Sequence, residues 1–332
     1  MGRALLPRQS VGHGVDNKKS LFVEARIVNH LLESTPGGST DAAKRGNDRV
    51  AESTFASRLL QFASREWSHA MKEFVAILMV MGFVPLAQAL RCNRQTTLRQ
   101  PLWWALLAWA AWNYVAWCRV FLAEEQRVAV YVALSLTGCA GIAVLGARRP
   151  GVTAWNFVVV GLLAVLLLPV INGLGELRLE PAQQLFLSVT LVVPILNYLP
   201  TRLGPGMVLM AVGCGIEFVP LLHGSASQPW LGLLFVAFGP WVGWGILKRG
   251  FVTSEFDRVW LDYRDRFGFV WGQRIREQFN RAAYHSDWPV VLRWQGLQAK
   301  SDQPLPDSAE LLSMLRAVLK RFDSEEKQPL SS

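Results

Sequence analysis

Between Phe74 and Leu247 the sequence has no aspartate and no lysine across 174 residues. A water-soluble domain of that length keeps a charged surface, so this absence excludes an ordinary globular domain there. Charged residues make up only 18% of the whole chain, below the roughly 25% usual for soluble proteins. Cysteine is scarce as well. Cys92, Cys118, Cys139 and Cys214 lie in or beside apolar stretches and never in a CxxC spacing, which excludes a zinc ribbon or redox pair and reads as small apolar side chains. The chain has no HExxH, no GxxxxGK[ST], no GxSxG and no dinucleotide fingerprint. We therefore expect no catalytic residues, no metal, no cofactor and no enzyme activity. The N-terminus, MGRALLPRQS, lacks the apolar core of a signal peptide and the Ser or Thr of a myristoylation signal.

Hydrophobic residues supply 51% of the chain, with 14 Trp. The stretch Val152 to Gly173 carries no charge and is about as long as the roughly 20 residues that cross a hydrocarbon core. Six further stretches resemble it, so the predicted fold class is all-α. It is a polytopic transmembrane bundle with spans at 74–90, 101–122, 128–147, 152–174, 181–200, 203–222 and 229–247. The first is the weakest, because 17 residues rise only about 26 Å. If it does not cross, the alternative is six spans.

Basic residues next to spans stay in the cytoplasm. Arg91, Arg94, Arg99, Arg148, Arg149 and Arg202 lie in one alternating set of loops, whereas the other set holds only Arg127 and Arg178. This predicts a cytoplasmic C-terminus and, by composition, the cell (inner) membrane. Seven spans then leave the N-terminal tail outside, in conflict with Arg58, Arg65 and Lys72 just before the first span. Six spans or a translation start at Met71 would each resolve it. The net charge of +9 is spread as +3, +4 and +2 over 1–73, 74–247 and 248–332, without the concentrated basic face that nucleic acid requires.

Residues 1–52 read as a disordered polar tail and 53–73 as an amphipathic lead-in helix. Residues 248–332 read as a small, mostly helical cytoplasmic domain. There Ser254 and Asp257 resemble a capping box, and Phe256, Trp260, Tyr263, Phe267, Trp271, Ile275 and Phe279 share one helical face. Pro289 to Leu297 reads as one strand, and Asp307 to Phe322 as a second helix. The aromatic face is read as packing within this domain rather than lying among lipid headgroups.

Glu217 is the only acidic residue placed inside a span, and a carboxylate there needs a partner or a cavity. Arg119, Asn172, Gln183, Gln184 and His223 have similar depth in the outer half of the bundle. Two readings follow: an Arg119 to Glu217 pair that fixes packing, or a ligand or proton site. GxxxG at Gly239 and Gly243 reads as close packing within the monomer. The order Cys139, Arg202, His223 resembles the polytopic exosortase and archaeosortase family, which implies transpeptidase-like chemistry. However, Ala140-Gly141 replaces the family's Ser-Gly, and the predicted topology puts the three residues at three depths. The expected function is a membrane scaffold or accessory subunit, with the lipid bilayer and a cytoplasmic protein as partners. The alternative is a transporter or small-ligand-binding protein using the outer cluster.

Overall fold

The computed structural model describes residues 70–121, 127–148, 151–173, 177, 179–223, 230–249, 254–300 and 307–322. The chain divides into two units, Met1–Trp67 and Ser68–Ser332, and every described residue belongs to the second. The predicted polar tail and nearly all of the lead-in helix lie outside the described residues. Seven long helices come first: α1 Ala70–Cys92, α2 Arg99–Phe121, α3 Arg127–Leu145, α4 Val152–Asn172, α5 Pro181–Tyr198, α6 Gly204–His223 and α7 Leu231–Lys248. Then follow α8 Glu255–His285, a hairpin of β1 Val290–Arg293 and β2 Gly296–Ala299, α9 Ser308–Leu319 and a 3-10 turn Lys320–Phe322.

Each predicted span is a helix, and the largest boundary shift is at the first, which starts at Ala70. Five of the seven, α1, α3, α4, α6 and α7, are long and apolar enough to cross a membrane. Their side chains suit hydrocarbon: Phe157 is 73% exposed, Ile171 66% and Ile77 60%. Water would penalise such surface, whereas lipid does not. The stretch read as weakest, α1, is among the five at 23 residues. The two outside the five are α2 and α5. The indoles of α2 (Trp103, Trp104, Trp109, Trp112 and Trp117) carry large apolar area with a polar N–H, and Gln183, Gln184 and Asn197 dilute α5.

Cross-helix contacts give each helix a direction. Tyr131 of α3 donates to the Leu166 carbonyl of α4, and Trp155 of α4 to the Ile142 carbonyl of α3, so these two are antiparallel. Trp104 of α2 donates to Asn156 of α4 near both N-terminal ends, which makes that pair parallel. Trp244 of α7 reaches Gln88 of α1 near both C-terminal ends, again parallel. Direction therefore alternates along the chain, as short connections require.

Helix α3 is the hub, in contact with α2, α4, α5 and α6. Its small residues permit this. A Cβ on Gly138 would lie 2.6 Å from Thr190 of α5, and Ala133, Ser135 and Cys139 are fully buried. Gly206 and Gly213 of α6 face Gly239 and Gly232 of α7 at backbone distance, a Cβ on Gly206 falling 2.9 Å from the Gly239 carbonyl. The predicted intramolecular use of Gly239 and Gly243 is what the structure has. Cys118, Cys139 and Cys214 are buried and Cys92 is exposed.

The core of the C-terminal elements is continuous with the end of the bundle. Phe256, Trp260, Tyr263, Phe267, Trp271, Ile275 and Phe279 are all buried, together with Leu311, Leu315 and Phe322, and also with Leu98, Val144 and Ala147 from the loop end of the bundle. The aromatic face thus packs mainly against its own neighbours, and this core extends to Leu98, Val144 and Ala147 of the bundle. Three local details differ from the sequence reading. Asp257 does not cap α8; its carboxylate accepts from the Leu297 amide of β2 at 2.8 Å, and Ser254 makes no side-chain cap. Residues 289–297 are not one strand, because the chain reverses at Trp294 and Gln295, pairing Arg293 with Gly296 (φ 147°). The seven aromatic and aliphatic positions do not belong to one unbroken helix, since Gly268 (φ 79°, ψ −169°) interrupts α8.

Candidate functional site

Arg119 and Glu217 meet inside the bundle. Helices α2 and α6 run parallel, so residues near their C-terminal ends share a depth, and the guanidinium meets the carboxylate in a two-pronged pair. Nη1 lies 2.9 Å from Oε1 and Nη2 2.6 Å from Oε2, with the side chains 9% and 1% exposed. Gly232 of α7 makes the room, because any Cβ there would run into the Glu217 carboxylate. Arg127 at the start of α3 donates to the Leu221 carbonyl at 3.3 Å, closing the end of α6.

The other members of the predicted cluster are placed differently. Asn172 is exposed at the end of α4. Gln184 donates to the Leu179 carbonyl, Gln183 closes a reciprocal cap with Glu180, and His223 is exposed beside its own Val219 carbonyl. The structure brings together Arg119 and Glu217, whereas Gln183, Gln184 and His223 bond to local groups.

A second cluster was not singled out from the sequence. Asp265 of α8 is fully buried and accepts from two arginines. Arg202, in the α5–α6 connection, donates its backbone amide to Oδ1 at 3.1 Å and its Nε to Oδ2. Arg264 donates Nε and Nη2 to Oδ1 at 3.0 and 2.7 Å, and its Nη1 to the Trp294 carbonyl at 2.7 Å. Hydrogen bonds as well as Coulomb attraction to the two guanidiniums offset the cost of burying this carboxylate. Alongside it, Asn197 of α5 enters the break in α8. Its Oδ1 accepts from the Val270 amide at 3.0 Å and its Nδ2 donates to the Phe267 carbonyl at 3.5 Å. Gly268 has no side chain because the Asn197 amide occupies that space. A visible signal for this junction was the Gly of FGF, one of two glycines, Gly268 and Gly272, in an otherwise helical run.

Further bonds complete the junction. Tyr198 donates to the Arg266 carbonyl, Trp294 to the Pro200 carbonyl and Trp271 to the Val144 carbonyl. Thr97 donates its amide to the Phe322 carbonyl at 3.0 Å and its hydroxyl to the Ala147 carbonyl at 2.9 Å. Arg148 and Arg274 flank the Trp271 ring at 5.9 and 5.1 Å. Tyr263 lies beneath, its phenol pushed well above the usual 10.0 by burial and opposed by Arg148. Its hydroxyl has no hydrogen-bond partner among the described residues.

Fold and site together define a helical protein with five membrane-crossing candidates and a C-terminal layer fastened to one end of its bundle. In comparisons with known proteins, no protein-family model, no curated protein and no solved structure matches the chain. No group of three or more His, Cys, Asp or Glu suited to a metal ion occurs among the described residues.

Proposed function

We propose that this protein is a membrane-embedded scaffold or accessory subunit that holds its C-terminal layer rigidly at the cytoplasmic surface for a protein partner. The observation that carries this is the wedge of Asp265 between Arg202 and Arg264, which ties α8 to the α5–α6 connection. A layer free to swing needs no such lock. Seven spans are part of the proposal: α2 and α5 fit the alternation of direction, and 23 residues of α2 rise about 35 Å. The C-terminal layer covers the loops that carry Arg94, Arg99, Arg148 and Arg202, the set that the positive-inside rule assigns to the cytoplasm.

The test is co-purification after crosslinking in native membranes, comparing the full chain with Asp265→Asn. A partner captured by the first and lost from the second supports the scaffold. Equal capture by both, with the layer demonstrably released in the variant, refutes it.

The transport reading places a ligand or proton at Glu217. Both carboxylate oxygens are already engaged by Arg119, which favours a packing role for the pair. Flux or ligand binding abolished by Glu217→Gln, in protein that remains folded, would reverse that judgement.

A further inference from the structure

A groove of about 540 Å³ lies between the C-terminal half of α8 and strand β1. Its walls bring Arg276 and Arg281 of α8 to Arg293 of β1, with Glu277, Asn280 and Leu292 between them. Three arginines lining one open groove carry like charges that repel one another, so the arrangement favours an anion. None of the three has an ion-pair partner among the described residues. The one carboxylate at the groove, Glu277, accepts a hydrogen bond from Gln273 one turn back. Three positive charges therefore face one negative charge.

The spacing of the arginines is fixed from below. Asn280 donates to the Leu292 carbonyl at 3.0 Å and accepts from the Leu292 amide at 2.6 Å, clamping the helix to the strand. Phe279 and Leu292 are buried under the groove. The rim can therefore hold its charges apart without ordering a loop at each binding event, which lowers the entropy cost of capture. The C-terminal end of α8 contributes a partial negative charge of about half a unit, which opposes an anion but is smaller than the net +2 of the arginines and Glu277. Guanidinium is planar and remains charged at every physiological pH, and its paired N–H groups match the oxygens of phosphate.

We propose that the groove formed by Arg276, Arg281 and Arg293 is a binding site for a phosphate-type anion, supplied either as a lipid headgroup or as a free phosphate ester. This does not rest on the scaffold reading and holds whether or not a protein partner exists. Trp294, next to Arg293, is hydrogen-bonded to Pro200 in the bundle's own loop. One wall of the groove thus begins beside the end of the bundle.

The experiment uses the full chain in nanodiscs and two probes. Inorganic pyrophosphate is titrated into phosphatidylcholine discs, and bound phosphatidylglycerol is counted by native mass spectrometry from discs that contain it. Arg276→Gln/Arg281→Gln/Arg293→Gln is compared with Arg258→Gln/Arg316→Gln/Lys320→Gln, which removes the same charge elsewhere. The groove variant is expected to weaken binding by about fivefold for each arginine lost, the control to leave it unchanged. Binding of pyrophosphate identifies a free phosphate as the ligand, and retention of phosphatidylglycerol alone identifies a headgroup. Glu277→Gln removes the opposing charge and is expected to tighten binding, a gain that misfolding cannot imitate. The proposal is overturned if neither probe binds, if both triple variants bind like the parent, or if Glu277→Gln leaves affinity unaltered.

Discussion

Arg119 and Glu217 illustrate how a buried charge becomes tolerable only as a pair. Removing Arg119 leaves the Glu217 carboxylate stranded in the bundle, at a cost of about 3–5 kcal/mol. Arg119→Gln and Glu217→Gln should each lower thermal stability in detergent, and the double variant should lose much less than the sum. Additive losses would mean that the pair does not act as a unit. Tyr263 behaves in the opposite sense, because its hydroxyl is buried without a partner among the described residues. Tyr263→Phe should be neutral or stabilising by about 1 kcal/mol. With a folded-state value raised above 10.0, the phenol's contribution is intact below pH 10.0 and is lost as the pH rises beyond it. Melting curves of the parent should therefore fall above that pH more steeply than those of Tyr263→Phe. At this scale the sequence was informative where chemistry is rare: a lone Glu in an apolar stretch announces a partner. Asp265 gave no such announcement, because α8 is rich in charge and only the fold separates the buried aspartate from its exposed neighbours.

At the scale of elements, apolar length alone located all seven bundle helices, since hydrocarbon-compatible runs broken by Arg, Gly and Pro leave little freedom. What periodicity misses is a local exception. The spacing of Phe256 through Phe279 marks one buried face, and all seven residues are buried, yet Gly268 breaks the helix between Phe267 and Phe269. A pattern of three and four passes over a single residue of unusual backbone. The break is held by Asn197, which satisfies a carbonyl before it and an amide after it. Gly268→Ala should cost about 1–3 kcal/mol, because this backbone region is almost restricted to glycine and the Asn197 amide fills the Cβ position. Asn197→Ala leaves the Val270 amide unpaired, and hydrogen exchange at Val270 should accelerate. Unchanged exchange there would show that the amide finds another acceptor. The hairpin was missed for a related reason: PVVLRWQGL is apolar on both sides of its turn, and Trp294-Gln295 is not a customary turn pair.

For the whole molecule, the boundary at Lys248 marks a change of composition, and 254–322 nonetheless shares a core with Leu98, Val144 and Ala147. Composition reports which solvent a segment meets; it is silent on what the segment docks against. Asp265→Asn should free the layer, since Arg202 and Arg264 would then face each other without their counter-charge. Limited proteolysis between 249 and 254 should become faster in this variant while the bundle retains its helical signal. A cleavage rate equal to that of the parent would mean that the aromatic core suffices without the lock. The bond from Thr97 to Phe322 spans 225 residues of chain. At about 5–20 residues per second, the ribosome adds Phe322 some 10–45 s after Thr97. Every bundle helix has therefore been synthesised before the junction can close, and the loops wait uncovered until Phe322 is made. Assembly of the bundle and closure of its end are thus two events separated in time, the second waiting on the synthesis of Phe322.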